Sequence, residues 1–537
     1  MLSRRDHAAL VEGVRYMFDL LIQGGDVVDG AGGARRPLDV AVQGDRIAGL
    51  GKFAADSARR VVDARGLVVC PGFIDVHNHT DGWLLKQPNF ASKTLQGVTT
   101  EVLGSDGISY APTTPALAPQ WIHYLRSLNG LAIADYAGWE SLADYYEQLD
   151  GRAAQNVVAQ IPYANLRVLA SGWGQRKLDD VQIRLVQHGI LRGMEAGAVG
   201  VSTGLDYVNE FYASTDELAE TLAAMRPFDG LYVTHVRYKK GLVPAVKEAV
   251  EIARRAGVRL HISHLKADAE HVDELMEYVD RTAVNEVDFS FDVYPYMPGS
   301  TMLHFLLPND VWDDGPLAVA AKLTNPDVRR RFDEFLQSYA PDKLDQIRIA
   351  WQPSKANARF QGYSLAEYIA AVGRSPADAL CDLLLEENLA VLCVFHVGDD
   401  ALIEPFLKHD KFMLGSDGIF QPDGPVHPRQ FGSATRILGR LVRERRWFTL
   451  EEAVRKMTSV PAARFGLKDR GVLRAGAFAD VVAFDPQTVE DRATFDNPRQ
   501  TSVGIRQVLV NGTPIVVDGT PVDQLEAWPG RWLRYKS

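Results

Sequence analysis

The sequence predicts an α/β protein in which a (β/α)8 barrel over residues 67–468 carries a small β domain assembled from both ends of the chain. Three observations predict it. Short apolar runs of strand length alternate with helical stretches through the middle of the chain, which is the pattern of parallel α/β architecture. Glycine-punctuated, β-prone runs of similar texture stand at the two ends. Histidines and aspartates follow directly after several of the apolar runs, and the C-terminal strand ends are where such a barrel places its functional groups.

In chain order, residues 1–17 carry no usable pattern and read as a leader or extension. Residues 18–66 form the first part of the β domain, with Asp19-Leu20-Leu21-Ile22, Asp26-Val27-Val28-Asp29 and Val40-Ala41-Val42 separated by tight glycine turns. Strand candidates of the barrel then run over 68–76, 98–103, 157–161, 198–202, 231–234, 260–263, 289–293, 391–395 and 412–415. A closed barrel needs eight strands, so one of these nine is expected outside it. Apolar residues at 245, 246, 249, 250, 252 and 253, ending at Gly257, predict an amphipathic helix with a glycine stop. Thr449 with Glu452, and Ser375 with Pro376 and Asp378, read as helix starts. Residues 298–364 break the rhythm; their length and their aromatic residues Phe332, Phe335, Tyr339, Trp351 and Phe360 predict a folded lid. Residues 469–537 complete the β domain, and Asn511-Gly512 predicts a hairpin turn.

The net charge of −11 argues against a nucleic-acid partner, whose footprint would be basic. Cys70, Cys381 and Cys393 are too few and too scattered for a disulfide framework, which fits a reducing cytoplasm. No signal-peptide core and no run approaching the ~20 apolar residues of a membrane span is found, so no membrane partner is expected.

The chemistry concentrates at the strand ends. His77 and His79 are two residues apart, so on a strand they share a face. Asp106, His235, His264 and Asp417 stand at equivalent places after later strands. Four imidazoles and two carboxylates suit one or two zinc-like ions. Such an ion brings the pKa of a bound water down towards ~7 and polarises a carbonyl. Asp417 is then the natural shuttle that carries a proton from the water to a leaving nitrogen.

The stretches Pro71–His79, Gly97-Val98-Thr99-Thr100, Ser202–Tyr207, Thr234-His235-Val236-Arg237, Ser263–Ala267, Asp292–Tyr296 with Gly299-Ser300-Thr301, Gly415-Ser416-Asp417-Gly418 and His427-Pro428-Arg429 resemble the amidohydrolase superfamily, and within it the N-acyl-D-amino-acid deacylases, or D-aminoacylases. The resemblance implies a zinc-dependent barrel with a β-sandwich domain from both termini, hydrolysing N-acyl-D-amino acids; manganese or iron(II) would be alternative metals. It implies that His77, His79 and Asp417 hold one metal, and His235 and His264 another. It further implies that Lys266, Tyr294 and Ser300 bind the carboxylate of a small-molecule substrate and that Tyr207 contacts the scissile carbonyl. One departure stands out: where the family has Gly-Asn-Cys-Gly with a metal-binding cysteine, this chain has Gly104-Ser105-Asp106-Gly107, a harder oxygen ligand. The fourth strand also offers no lysine for carboxylation. Hydrolysis of a cyclic amide, a ureido compound or a dipeptide is the alternative activity. A metal-poor relative that binds or scaffolds without catalysis is the alternative of another class.

Overall fold

The computed structural model describes residues 17–338 and 341–536, so the leader read over 1–17, apart from Met17, and the lid residue Tyr339 lie outside the described residues. Its central feature is a series of short strands, buried except at Arg259, that run parallel: β1 (Phe73–Asp75), β2 (Val98–Leu103), β3 (Asn156–Ala159, continued by Ile161–Pro162), β4 (Gly200–Gly204), β5 (Leu231–His235), β6 (Arg259–Ile262), β7 (Phe289–Val293) and β8 (Phe412–Leu414). Their apolar runs are near-continuous because both faces are covered, as parallel strands require. Gln160 interrupts β3, where the Gln160 N–H bonds to Leu103 O at 3.1 Å and the Val199 N–H to Ala159 O at 2.9 Å. At the other seam the Val76 N–H bonds to Leu414 O at 3.1 Å, so each strand has a hydrogen-bonded neighbour on both sides. The predicted helix spans Leu242–Ala256 between β5 and β6, and Gly257 closes it at φ 66°. Thr449 and Ser375 accept from the backbone N–H of Glu452 and Asp378, as their spacing predicts.

Two strand readings are corrected. The run 68–76 is two strands rather than one: Val68–Pro71 pairs with the terminal sheet, and only Phe73–Asp75 joins the parallel set. The break falls at Gly72, where an added Cβ would lie 2.1 Å from Thr99 Oγ1, so the chain crosses from one sheet to the other against the wall of β2. The surplus strand is the one near 391–395: Leu392–Phe395 pairs antiparallel with both Gly299–Met302 and Ile347–Trp351. The inserted sheet therefore reaches past residue 364, and Phe332, Trp351 and Phe360 are buried in it and its helices.

The two ends of the chain share one nine-stranded sheet in which Val68–Pro71 of the N-terminal part pairs antiparallel with Val481–Phe484 of the C-terminal part. Alternation with period two divides its side chains. Val69, Val481, Ala483 and Leu509 pack into one core with Leu20, Ile22 and Val40, whereas Val68, Val482, Val508 and Val510 join the core of the parallel strands. Asn511 at φ 47° and Gly512 at φ 79° make the hairpin turn between Ile505–Val510 and Thr513–Val517.

Gly72→Ala is expected to destabilise the protein by about 1–3 kcal/mol, because Thr99 must move to admit one methyl group. Chemical denaturation of the variant beside the parent checks this, and an unchanged midpoint would show that the crossover has slack.

Candidate metal centre

The site grows from the seam between β1 and β8. Asp75, the last residue of β1, accepts from the Ser416 N–H at 2.7 Å and the Ser416 hydroxyl at 2.6 Å, and Lys93 Nζ lies 2.5 Å from Asp75 Oδ2. Just beyond this buried cluster the Asp417 N–H donates to His77 O at 2.7 Å and the His79 N–H to Gly418 O at 3.0 Å. His77, His79 and Asp417 are thereby fixed side by side. Three of the predicted metal residues also hold left-handed backbone: Asp106 at φ 56°, His264 at φ 39° and Asp417 at φ 48°. That conformation is uncommon outside glycine, although Asp and His adopt it more readily than most residues, and such strain collects at functional sites. Here it turns each side chain from its strand end towards a common point.

The ligand atoms are spaced as a metal would space them. His79 Nε2 is 3.3 Å from Asp417 Oδ1, His77 Nε2 is 3.8 Å from the same atom, and His77 Nε2 is 3.5 Å from Asp106 Oδ1. His79 Nε2 is 3.5 Å from Asp106 Oδ2, and His264 Nε2 is 3.8 Å from Asp106 Oδ1. Donors about 2.0–2.2 Å from a four-coordinate zinc stand roughly 3.3–3.6 Å apart, whereas a hydrogen bond would draw them nearer 2.9 Å. Buried His77 Nε2 and Asp106 Oδ1 have no hydrogen-bond partner among the described residues. Two overlapping triads result: His77, His79 and Asp417, and His77, Asp106 and His264. The donor set and its unpartnered atoms fit a divalent cation.

His235 joins less directly. Its Nδ1 is 3.0 Å from His264 Nε2, while its buried Nε2 has no hydrogen-bond partner among the described residues and lies 3.6 Å from Asp206 Oδ2. Electrostatics favour positive charge at the cluster. Burial works against a charged His77, but Asp106 and then Asp292 outweigh it and push its pKa well above the usual range. Burial likewise works against ionised Asp106, yet His77 and the other imidazoles hold it well below the carboxylate range. Asp417 is held low against burial chiefly by Arg429, whose Nη1 is 2.9 Å away.

A cavity of about 320 Å³ opens over these ligands. Tyr207, Tyr294 and Ser300 line it, with the Tyr207 hydroxyl 3.0 Å from Thr301 Oγ1. Lys266 stands one layer back: its ammonium donates to the Tyr294 hydroxyl at 2.5 Å and to Met297 O at 2.7 Å. Ser300 Oγ donates to Cys393 O at 2.7 Å and would have to turn to meet a ligand.

Residues 60–516 match the sequence profile of the amidohydrolase family. The chain belongs to that family. N-acyl-D-glutamate deacylase of Alcaligenes xylosoxydans xylosoxydans is 36% identical over 532 residues, 96% of either chain. D-aminoacylase of the same organism is 34% identical over 511 residues, 93% of this chain and 94% of its own. The solved structure of N-acyl-D-glutamate deacylase from Bordetella bronchiseptica, complexed with zinc and a phosphonate mimic of the tetrahedral intermediate, superposes with a TM-score of 0.82 at 33% identity, covering 96% of this chain and 99% of that one. The α/β fold of this amidohydrolase is therefore that of the solved deacylases.

Two residues of this amidohydrolase's site have no role in the sequence reading. Asp292 accepts from His261 Nε2 at 2.9 Å and from the His264 N–H at 2.9 Å, and its Oδ2 lies 3.7 Å from His77 Nδ1, so one carboxylate orients both triads from behind. It lies within its strand rather than after it, where the search for strand-end ligands does not look. Arg429 reaches Asp417 from a helix start beyond β8, which only the motif His427-Pro428-Arg429 could have flagged.

His77 belongs to both triads, and His79 and His264 to one each. His77→Ala is accordingly expected to carry less metal than either His79→Ala or His264→Ala when protein purified without chelators is measured by elemental mass spectrometry. Equal metal in all three variants and the parent would dismiss the site.

Proposed function

We propose that this protein is a zinc-dependent hydrolase that cleaves the amide bond of N-acyl-D-amino acids or closely related N-acyl carboxylates, on a (β/α)8 barrel flanked by a β-sandwich domain. We place the barrel at 72–468, with the lid beginning near 298, and the sandwich at 18–71 and 469–536. The observation that carries the reading is the convergence of His77, His79, Asp106, His264 and Asp417 at 3.3–3.8 Å beneath a cavity of about 320 Å³. The relatives support it: they are named as deacylases of N-acyl-D-glutamate and N-acyl-D-aspartate and as a D-aminoacylase, each at 34–36% identity.

In this reading His77, His79 and Asp417 hold one metal, and Asp106 with His264 and His235 a second. Asp106 would serve both sets of ligands, since its Oδ1 faces His77 and His264 while its Oδ2 faces His79. When bound, the metal supplies a Lewis acid that acidifies water and polarises the scissile carbonyl. The chain does the rest. Asp417 receives the proton of the attacking water and returns it to the departing amine, and Arg429 keeps its carboxylate ionised and aimed. The Tyr207 hydroxyl, released from Thr301, donates to the acyl oxygen as charge develops there. Tyr294, its oxygen already accepting from Lys266, turns its own proton to the substrate carboxylate, and Ser300 adds a second donor.

Amine release from paired N-acetyl-D- and N-acetyl-L-amino acids tests the reading. Turnover is expected with the D series alone. Asp417→Asn is expected to lose about 10²–10⁴-fold in kcat. A variant as active as the parent would remove Asp417 from proton transfer, and ring-opening of cyclic amides without any amine release would replace the proposed substrate class.

A further inference from the structure

The cavity over the metal ligands is charged on its floor and apolar along much of its wall. Leu128, Phe305, Phe395 and Val397 form that wall, and no lysine or arginine lines it among the described residues. Two cations gather at one wall residue, Tyr294: Lys266 Nζ lies 4.1 Å and the Arg429 guanidinium 4.4 Å from the centre of its ring. Lys239 touches the wall elsewhere, but its ammonium donates to the Phe305 carbonyl at 3.0 Å and lies 4.2 Å from the centre of the Phe305 ring, engaged with the wall instead of lining the space. Of the two hydroxyls that meet there, Tyr207 is taken by the acyl oxygen in the proposed reaction, and Thr301 is a neutral group that brings no charge to a second carboxylate.

The site thus has provision for one substrate carboxylate, at Tyr294, and none for another. A second carboxylate buried against Phe305, Phe395 and Leu128 would lose its water without gaining a partner, which is strongly unfavourable for a charged group. Resting on the reading of this cavity as an N-acyl-D-amino-acid deacylase site, we infer that its substrates carry an uncharged, apolar side chain and an uncharged acyl group, as in N-acyl-D-leucine or N-acyl-D-methionine. This separates the chain from the acidic substrates for which two of its relatives are named. The volume, near the lower end of the about 300–1,000 Å³ typical of ligand pockets, favours a short acyl group.

The test compares kcat/KM of the zinc-loaded protein for N-acetyl-D-leucine and N-acetyl-D-methionine with that for N-acetyl-D-glutamate and N-acetyl-D-aspartate, following amine release. The apolar pair is expected to win by about 100-fold or more. Equal or faster turnover of the acidic pair would overturn the inference while leaving the deacylase reading intact, whereas no turnover of any of the four would take down the reading and the inference together. Val397, 40% exposed at the rim, can be replaced without opening the core. Val397→Arg is expected to raise the glutamate-to-leucine ratio of kcat/KM at least about tenfold by supplying the missing cation. An unchanged ratio in a folded, active variant would show that the wall does not contact the substituent.

Discussion

The buried cluster of Asp75, Lys93 and Ser416 is the constraint on which the site depends. A carboxylate and an ammonium shut away from water are tolerable only when their hydrogen bonds are filled, and here Asp75 takes two from Ser416 and one from Lys93. The arrangement can be satisfied only if the first and last strands of the parallel set lie against each other. His77 and His79 follow Asp75 by two and four residues, and Asp417 follows Ser416 directly. Closing the strands and assembling the first triad are consequently one event. Gly415 belongs to the same fit, because a Cβ there would lie 2.3 Å from Asp292 Oδ1.

Around that seam the protein holds groups in states they would not choose alone. Asp106, His264 and Asp417 hold left-handed backbone, and buried ring and carboxylate atoms lack partners. Asp292 and Arg429 compensate from the second layer by orienting His264 and Asp417. Against the cost of burial, Asp106 and Asp292 raise the pKa of His77 and His77 lowers that of Asp106, whereas at His264 burial prevails and lowers the pKa. Strain, orphaned atoms and field agree on one location.

Much of this was legible in the sequence because it is local. Alternation of apolar runs marks buried parallel strands, the His77 and His79 spacing reports a shared face, and caps such as Thr449 and Ser375 are decided within four residues. What was not legible depends on pairing at a distance. Residues 392–395 are as apolar as any strand of the parallel set, and only their antiparallel partners at 299–302 and 347–351 assign them to the insertion. The run 68–76 reads as one strand until Thr99 is seen to occupy the space beside Gly72. Arg429 acts across the site from another element, and no spacing in the chain announces that contact.

The inserted antiparallel sheet supplies Ser300, Thr301 and Phe395 to the cavity, while the ends of the parallel strands supply most of the ligands. The cavity wall and the metal ligands thus come from different pieces of chain, joined through Arg429, which reaches both Asp417 and the Ser300 carbonyl. Substitutions in the insertion that spare Ser300 can therefore reshape the wall of the cavity without touching Asp75, Asp292 or the imidazoles.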